Sequence, residues 1–252
     1  MKNLSGGNVA LSLACQWWLT DESVLVKEPS TPAMSQGNAV HKAIELDLKG
    51  SSDYEANIAE GMKAHGVTAP ASVTKKYASW REWAKPRRRV GWSPEKAIAY
   101  NVRTDTARLL PDTPGWFRFN DVDRTCEIPL VIDVIAMGSD FHGPYAEVID
   151  WKTGRENQDK DRMQIRACAL GAARLLCVSR ARARVVYISE TEVFERDEML
   201  EEFDFDGLAF QLGWVFRLED SAPKPGGHCN SLYCAAKESC LRKMIETKDG
   251  DK

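Results

Sequence analysis

The chain has 252 residues, 43% of them hydrophobic and 28% charged, with a formal net charge of −3 at pH 7. That balance excludes wholesale disorder, a collagen-like repeat and a disulfide-scaffold miniprotein, and it argues against a general polyanion binder. The length allows one large domain or two small ones, and no stretch resembles a membrane span or a cleavable leader, so the expected compartment is the cytoplasm, with no membrane partner.

In chain order, helices are expected near Val9 to Leu19, from about Gln36 to Lys49, over Asp53 to His65 and over Ser72 to Trp83. Pro86 and the arginines at 87 to 89 end that pattern. Ala97 to Val102 then reads as a strand, Ile128 to Met137 as a buried strand, Gly138 to Pro144 as a turn and Tyr145 to Trp151 as a third strand. A helix follows from about Asp159 to Cys177, a fourth strand over Val185 to Ser189, and a long acidic helix over Asp197 to Leu218. Pro223 to Gly227 is a breaker before a cysteine-containing tail. Strands flanked by helices imply an α/β layer structure in one domain. It divides into a helical part (1–90), a sheet core (91–190), an acidic helix (191–222) and the tail (223–252).

The net charge hides an asymmetry. Glu190 to Asp206 carries nine acids and one arginine, a charge of −8, which leaves +5 elsewhere. Basic groups gather in Arg87, Arg88 and Arg89 beside Trp83 and Trp92, and again in Arg174, Arg180, Arg182 and Arg184. Alternation in Arg-Ala-Arg-Ala-Arg would line one face with guanidinium groups able to hold phosphates, the alternative being an ordinary solvated face. The acidic helix is expected to face away from nucleic acid or to bind a partner protein.

Asp133 is the most informative position. It is the only charge in Ile-Pro-Leu-Val-Ile-Asp-Val-Ile-Ala-Met, and an unpaired buried carboxylate costs several kcal/mol, so something cationic belongs beside it. In Glu-Val-Ile-Asp-Trp-Lys, Val148, Asp150 and Lys152 share one face of a strand, with Ile149 and Trp151 on the other. Two carboxylates and an ammonium in one pocket suit a hydrolase using Mg²⁺ or Mn²⁺. An internal salt bridge without catalysis is the plain alternative.

Several pieces together resemble the PD-(D/E)XK nuclease superfamily, in particular its RecB-like branch, which includes CRISPR adaptation nucleases and many phage exonucleases. They are Gly37 and His41 in Gln-Gly-Asn-Ala-Val-His-Lys-Ala-Ile-Glu, Asp133, Asp150-Trp-Lys152-Thr-Gly154, and Gln164 in the following helix. The resemblance implies a restriction-endonuclease-like core with a mixed sheet. It further implies that His41, Asp133, Asp150 and the Trp151 carbonyl hold the metal, that Lys152 stabilises the transition state, and that Gln164 orients the site or faces substrate. Glu95 is an accessory candidate beside them. Cys168 stands where the family often has a tyrosine, and no role is carried to it.

The seven cysteines divide by position. Cys126, Cys168 and Cys177 read as small core residues. Cys229-x4-Cys234-x5-Cys240 offers three thiolates and needs a fourth ligand for a metal site. The resemblance implies that Cys15 completes a [4Fe-4S] cluster pinning the two ends of the chain; His228 as a substitute would favour Zn²⁺. The reading as a whole is a metal-dependent DNA exonuclease acting in phage or host recombination, repair or CRISPR-type processing, with a recombination or adaptation protein as a possible partner. Its rivals are a catalytically silent end-binding or scaffold protein and a zinc-stabilised regulator.

Overall fold

The computed structural model describes residues 31–87, 91–112 and 119–217. Three helices come first: α1 (Pro32–Leu48), α2 (Tyr54–His65) and α3 (Pro70–Ala84). Local chemistry fixes their ends. The Thr31 hydroxyl accepts from the Met34 amide and the Asp53 carboxylate from the Ala56 amide, while Pro32 and Pro70 sit in first turns where the missing N–H is harmless. Gly66, at φ 64°, closes α2 in the left-handed conformation that glycine adopts without a steric penalty.

The remaining chain builds β1 (Ser93–Asn101), β2 (Thr106–Leu109), β3 (Glu127–Asp140), β4 (Gly143–Lys152), α4 (Gln158–Leu176), β5 (Ala181–Ile188), β6 (Val193–Leu200) and α5 (Glu202–Arg217). The strands form one six-stranded sheet in the order β2-β1-β3-β4-β5-β6. Only β4 and β5 are parallel, and α4 is their crossover. α4 and α5 cover one face around Ile98, Ile128, Leu130, Val148, Ile165, Leu170, Phe205 and Leu212. α1 and α3 cover the other around Val40, Ile44, Trp80, Ile149, Trp151 and Val186. This is the α/β sandwich expected from the sequence, with its mixed sheet.

Buried polar groups tie the three N-terminal helices together. Tyr77 donates from its hydroxyl to Asp47 at 2.6 Å, Asn57 donates to the Tyr77 oxygen at 3.0 Å, and Arg81 reaches Asp47 at 3.2 Å. α1 is therefore held in place by α2 and α3 as well as by the sheet.

Two expectations are corrected, and one strand is added. The segment read as one acidic helix is strand β6 followed by helix α5. Its acids are not a single solvated face, because β6 pairs antiparallel with β5 and its carboxylates meet arginines: Asp197 with Arg182, Glu195 with Arg184, and Glu198 with Arg162. The turn expected over Gly138 to Pro144 shrinks to two residues, because β3 runs on to Asp140. Gly138 serves there as a strand residue, with the Tyr145 ring lying across it where a Cβ would stand. Strand β2 went unread, being four residues long and mostly exposed, with no apolar alternation to announce it. The expected helix at Val9 to Leu19 and the cysteine tail lie outside the described residues.

Two close approaches differ in kind. A Cβ on Gly61 would strike the backbone carbonyl of Ala39, whereas one on Gly171 would meet the tips of Ile98 and Leu130 at 2.7 Å. Side-chain tips can rotate away and a helix backbone cannot. Gly61→Ala is therefore expected to destabilise the fold by about 1–3 kcal/mol despite its helix-propensity gain. Gly171→Ala should cost clearly less, and urea denaturation of both variants beside the parent checks the order.

Candidate active site

β3 changes face at Asp133. Ile128, Leu130 and Ile132 point toward α4, but Val134 points toward α1 and α3, and Ile135 turns back toward α4. On one side, Pro94 and Lys96 of β1 pair with Val134 and Ile132, leaving Glu95 opposite Asp133 with φ at 40°, a conformation that side chains rarely adopt. On the other side, the ladder to β4 begins only at the Val134–Ile149 pair. The sheet opens at this point. The Asp133 carboxylate fills the gap, its Oδ2 accepting the Trp151 backbone N–H at 2.7 Å.

Three further elements converge on the opening. α1 brings His41, whose Nδ1 lies 3.4 Å from Asp133 Oδ1. β4 brings Asp150 and Lys152 on its α4-facing side, with the Lys152 Nζ 2.7 Å from Asp150 Oδ2. α4 brings Gln164, which accepts from Lys152 at 3.0 Å through Oε1 and donates to Asp150 Oδ1 at 3.2 Å through Nε2. Behind them the Trp151 ring packs edge-on against Trp80 and Trp83 and beside Trp92, a rigid apolar wall that fixes β4.

The electrostatics follow from burial and sign. Burial pushes the Asp150 carboxyl up, and the negative charge of Asp133 adds to the rise against the opposing pull of Lys152. Burial also works against ionisation of Asp133, but His41, the Trp151 N–H and Lys152 outweigh it and hold that carboxyl low. His41 and Lys152 are both raised, the carboxylates prevailing over burial in each. The two acids are thus driven apart in proton affinity.

The donor set suits a divalent metal: two carboxylates and an imidazole, with oxygen donors dominant. Asp150 Oδ2 is fully buried and is met by the Lys152 ammonium at 2.7 Å. That buried oxygen is already served by a positive charge, which a divalent ion entering the site would have to displace. Among the described residues no three His, Cys, Asp or Glu side chains are already drawn into a coordinating cluster, since His41 is turned on Asp133 and Asp150 on Lys152 and Gln164.

The family model of the PD-(D/E)XK nuclease superfamily matches residues 9–241. The chain belongs to that superfamily. No curated protein matches it. Among solved structures, the crystal structure of SSO0001 is similar over 90% of this chain and 96% of its own, at 15% identity and a TM-score of 0.34, too distant to bear on function.

Of the residues that the sequence nominated for a superfamily active site, His41, Asp133, Asp150, Trp151, Lys152 and Gln164 come together as described. Glu95 lies opposite Asp133 in the strand register but its side chain also reaches Glu45, one turn beyond His41 on α1. The arginines are placed differently from expectation. Arg184 is buried between Glu147 and Glu195, and Arg182 is held by Asp197 at 2.6 Å, so the alternating guanidinium groups of β5 are spent on neighbouring carboxylates and do not form an open basic face. Arg87 lies over the Trp83 ring and donates to the Trp83 carbonyl at 2.9 Å. Arg88, Arg89, Cys15, Cys229, Cys234 and Cys240 lie outside the described residues. Cys126 and Cys168 are buried, but Cys177 is exposed, ending α4 at φ 54°.

Two supporting contacts were not foreseen. A Cβ on Gly37 would stand 2.6 Å from the Thr153 hydroxyl, so α1 rests directly on the end of β4, and Lys76 of α3 donates to the Thr153 carbonyl at 2.9 Å. Gly37 had entered only as part of a motif. Nothing in the sequence pattern marks Lys76.

Glu45 anchors the same turn of α1. Burial would raise its carboxyl, but hydrogen bonds from Lys42 and Lys49 and the contact with Glu95 bring it down to about 2. A depressed carboxyl stabilises the fold above its unfolded value near 4.5, and that contribution is lost as the pH falls toward 2. Discounted for the solvent around both lysines, it amounts to about 1–2 kcal/mol. Unfolding free energies measured from pH 6 to pH 2 should therefore fall more steeply for the parent than for Glu45→Gln.

Proposed function

We propose that this protein is a metal-dependent deoxyribonuclease of the RecB-like type, acting as an exonuclease on linear DNA in recombination, repair or CRISPR-type processing. The observation that carries the reading is the convergence of His41, Asp133, Asp150, Lys152 and Gln164, from four separate elements, on an opening in the sheet that gathers two carboxylates, an imidazole and an ammonium.

Mg²⁺ or Mn²⁺, held by His41, Asp133, Asp150 and the Trp151 carbonyl, would supply positive charge to the phosphoryl oxygens and lower the pKa of an attacking water. The protein's own groups do the rest. Lys152, fixed by Gln164 and Asp150, presents its ammonium to the negative charge on the oxygens of the pentavalent phosphorus. Gln164 holds both members of the Asp150–Lys152 pair, so neither can rotate out of place. The Asp133 contact to the Trp151 N–H keeps the backbone beside Asp150 in register. Charge-assisted contacts of this kind can contribute a large share of catalysis because they need no reorganisation during reaction.

One observation favours a binding protein instead: both carboxylates are already engaged by protein partners. The two readings separate in one assay. End-labelled linear and circular DNA, single- and double-stranded, is incubated with Mg²⁺, Mn²⁺ or EDTA. Linear DNA should be degraded with either metal and spared by EDTA, while circles survive. Asp150→Asn and Lys152→Ala should each lower the rate at least about 100-fold, with thermal melts confirming that the variants fold. Wild type that binds DNA but leaves every substrate intact with metal present would overturn the enzyme reading and support the silent end-binder.

The tail carries a second part of the proposal. Cys15, Cys229, Cys234 and Cys240 would ligate a [4Fe-4S] cluster that closes a loop of more than 200 residues, with a structural role. Protein purified anaerobically should be brown, absorb near 400 nm as such clusters do, and lose that absorbance in Cys234→Ala. Colourless protein with stoichiometric zinc would replace the cluster with a zinc site.

A further inference from the structure

The loop from Thr153 to Asn157 joins β4, which carries Asp150 and Lys152, to α4, which carries Gln164. Both of its ends are fixed. At the β4 end the Thr153 carbonyl accepts from Lys76 of α3 at 2.9 Å, and the Thr153 hydroxyl lies against Gly37 of α1. At the α4 end Glu156 accepts from Gln158 at 3.1 Å and meets Arg196 of β6 at 3.4 Å, while the Asn157 amide donates to Asp161 at 3.0 Å. Gly154 and Arg155 are left between them as an exposed tip, and a Cβ added to Gly154 would meet no atom within 4 Å. The tip stands clear on a rooted base.

Arg155 differs from the arginines that follow it. Every arginine from position 162 to position 196 lies against a carboxylate, Arg162 against Glu198 and Arg196 against Glu156 among them. Glu156, next to Arg155 in the chain, is thus the partner of a different arginine. Among the described residues, none forms a hydrogen bond, ion pair or ring contact with the Arg155 side chain. An exposed guanidinium in that state keeps its donors for a ligand, and their planar fork matches a phosphate.

Chain connectivity sets its distance from the chemistry. Three peptide units separate Arg155 from Lys152, so their Cα atoms lie at most about 11 Å apart. Nucleotides in one strand of a duplex rise about 3.4 Å each, which brings the phosphates flanking the one at Lys152 within that span. Resting on the nuclease reading above, we infer that Arg155 is a substrate-binding residue whose guanidinium holds a DNA phosphate adjacent to the one attacked. Because the loop is secured at both ends, less ordering is left to be done when the strand arrives. Such a contact positions the strand and carries no base preference.

The test uses the full-length protein and a fluorescein-labelled linear DNA, with affinity measured by anisotropy in EDTA over a range of salt concentrations. Arg155→Gln removes the charge and Arg155→Lys keeps it. Arg162→Gln makes the same change in net charge at an exposed position where the guanidinium is already held by Glu198. Arg155→Gln should raise Kd roughly 3- to 10-fold at low salt and reduce the slope of log K against log salt by about one. Arg155→Lys should restore the slope, and Arg162→Gln should leave it at the parent value. With metal present, Arg155→Gln should raise KM while kcat changes less than about twofold. A parental slope in Arg155→Gln, or an equal drop in Arg162→Gln, would overturn the inference. Failure of the nuclease reading looks different: wild type would bind the DNA and never cut it, whatever the slope of Arg155→Gln.

Discussion

The structure depends on a fault in its own sheet. A strand with strict alternation would have carried Asp133 to one side, toward a helix layer where an isolated carboxylate could not stay charged. Because β3 changes face at that residue, its side chain instead lies in the plane of the sheet, accepting the Trp151 N–H as a neighbouring strand's carbonyl would. A backbone donor is satisfied, a carboxylate is stabilised, and one carboxylate oxygen remains turned toward His41. Glu95, held at φ 40° on the adjoining strand, marks the same dislocation from the other side. Irregularities of this kind recur at functional sites because regular pairing would fill the space that chemistry needs.

Around that fault the two helical layers have different duties. The α4 side supplies the charged groups of β4 and the amide that orders them. The α1 and α3 side supplies His41 and an aromatic wall, and it is secured by contacts that reach the end of β4 itself, at Gly37 and Lys76. The polar network of Asp47, Tyr77, Asn57 and Arg81 keeps α1 from sliding along this surface. A helix shift of even one ångström would move His41 away from Asp133, so rigidity behind the site is part of its chemistry.

Much of this was legible in the sequence, and the reason is burial. Asp133 and Asp150 could be picked out because each is a charge in an apolar run, and the shared face of Asp150 and Lys152 follows from strand alternation. The helices α1 to α4 announced themselves through period and punctuation. The acidic segment misled because charge density says nothing about period: the acids of β6 and the arginines of β5 are complementary rows, visible only once the two strands are paired. The same pairing removes Arg182 and Arg184 from an open basic surface.

The site's halves also differ in how far apart they lie along the chain. Lys152 and Gln164 belong to a single strand-loop-helix unit, and the parallel pairing of β4 with β5 obliges that helix to cross over the very strand it serves. His41 meets Asp133 only across a long intervening stretch. During synthesis, then, α1 leaves the ribosome with its apolar stripe of Ala39, Val40, Ala43 and Ile44 well before Ile149 and Trp151 exist to receive it. The histidine is the first active-site side chain to be made and must await Asp133, made long after it.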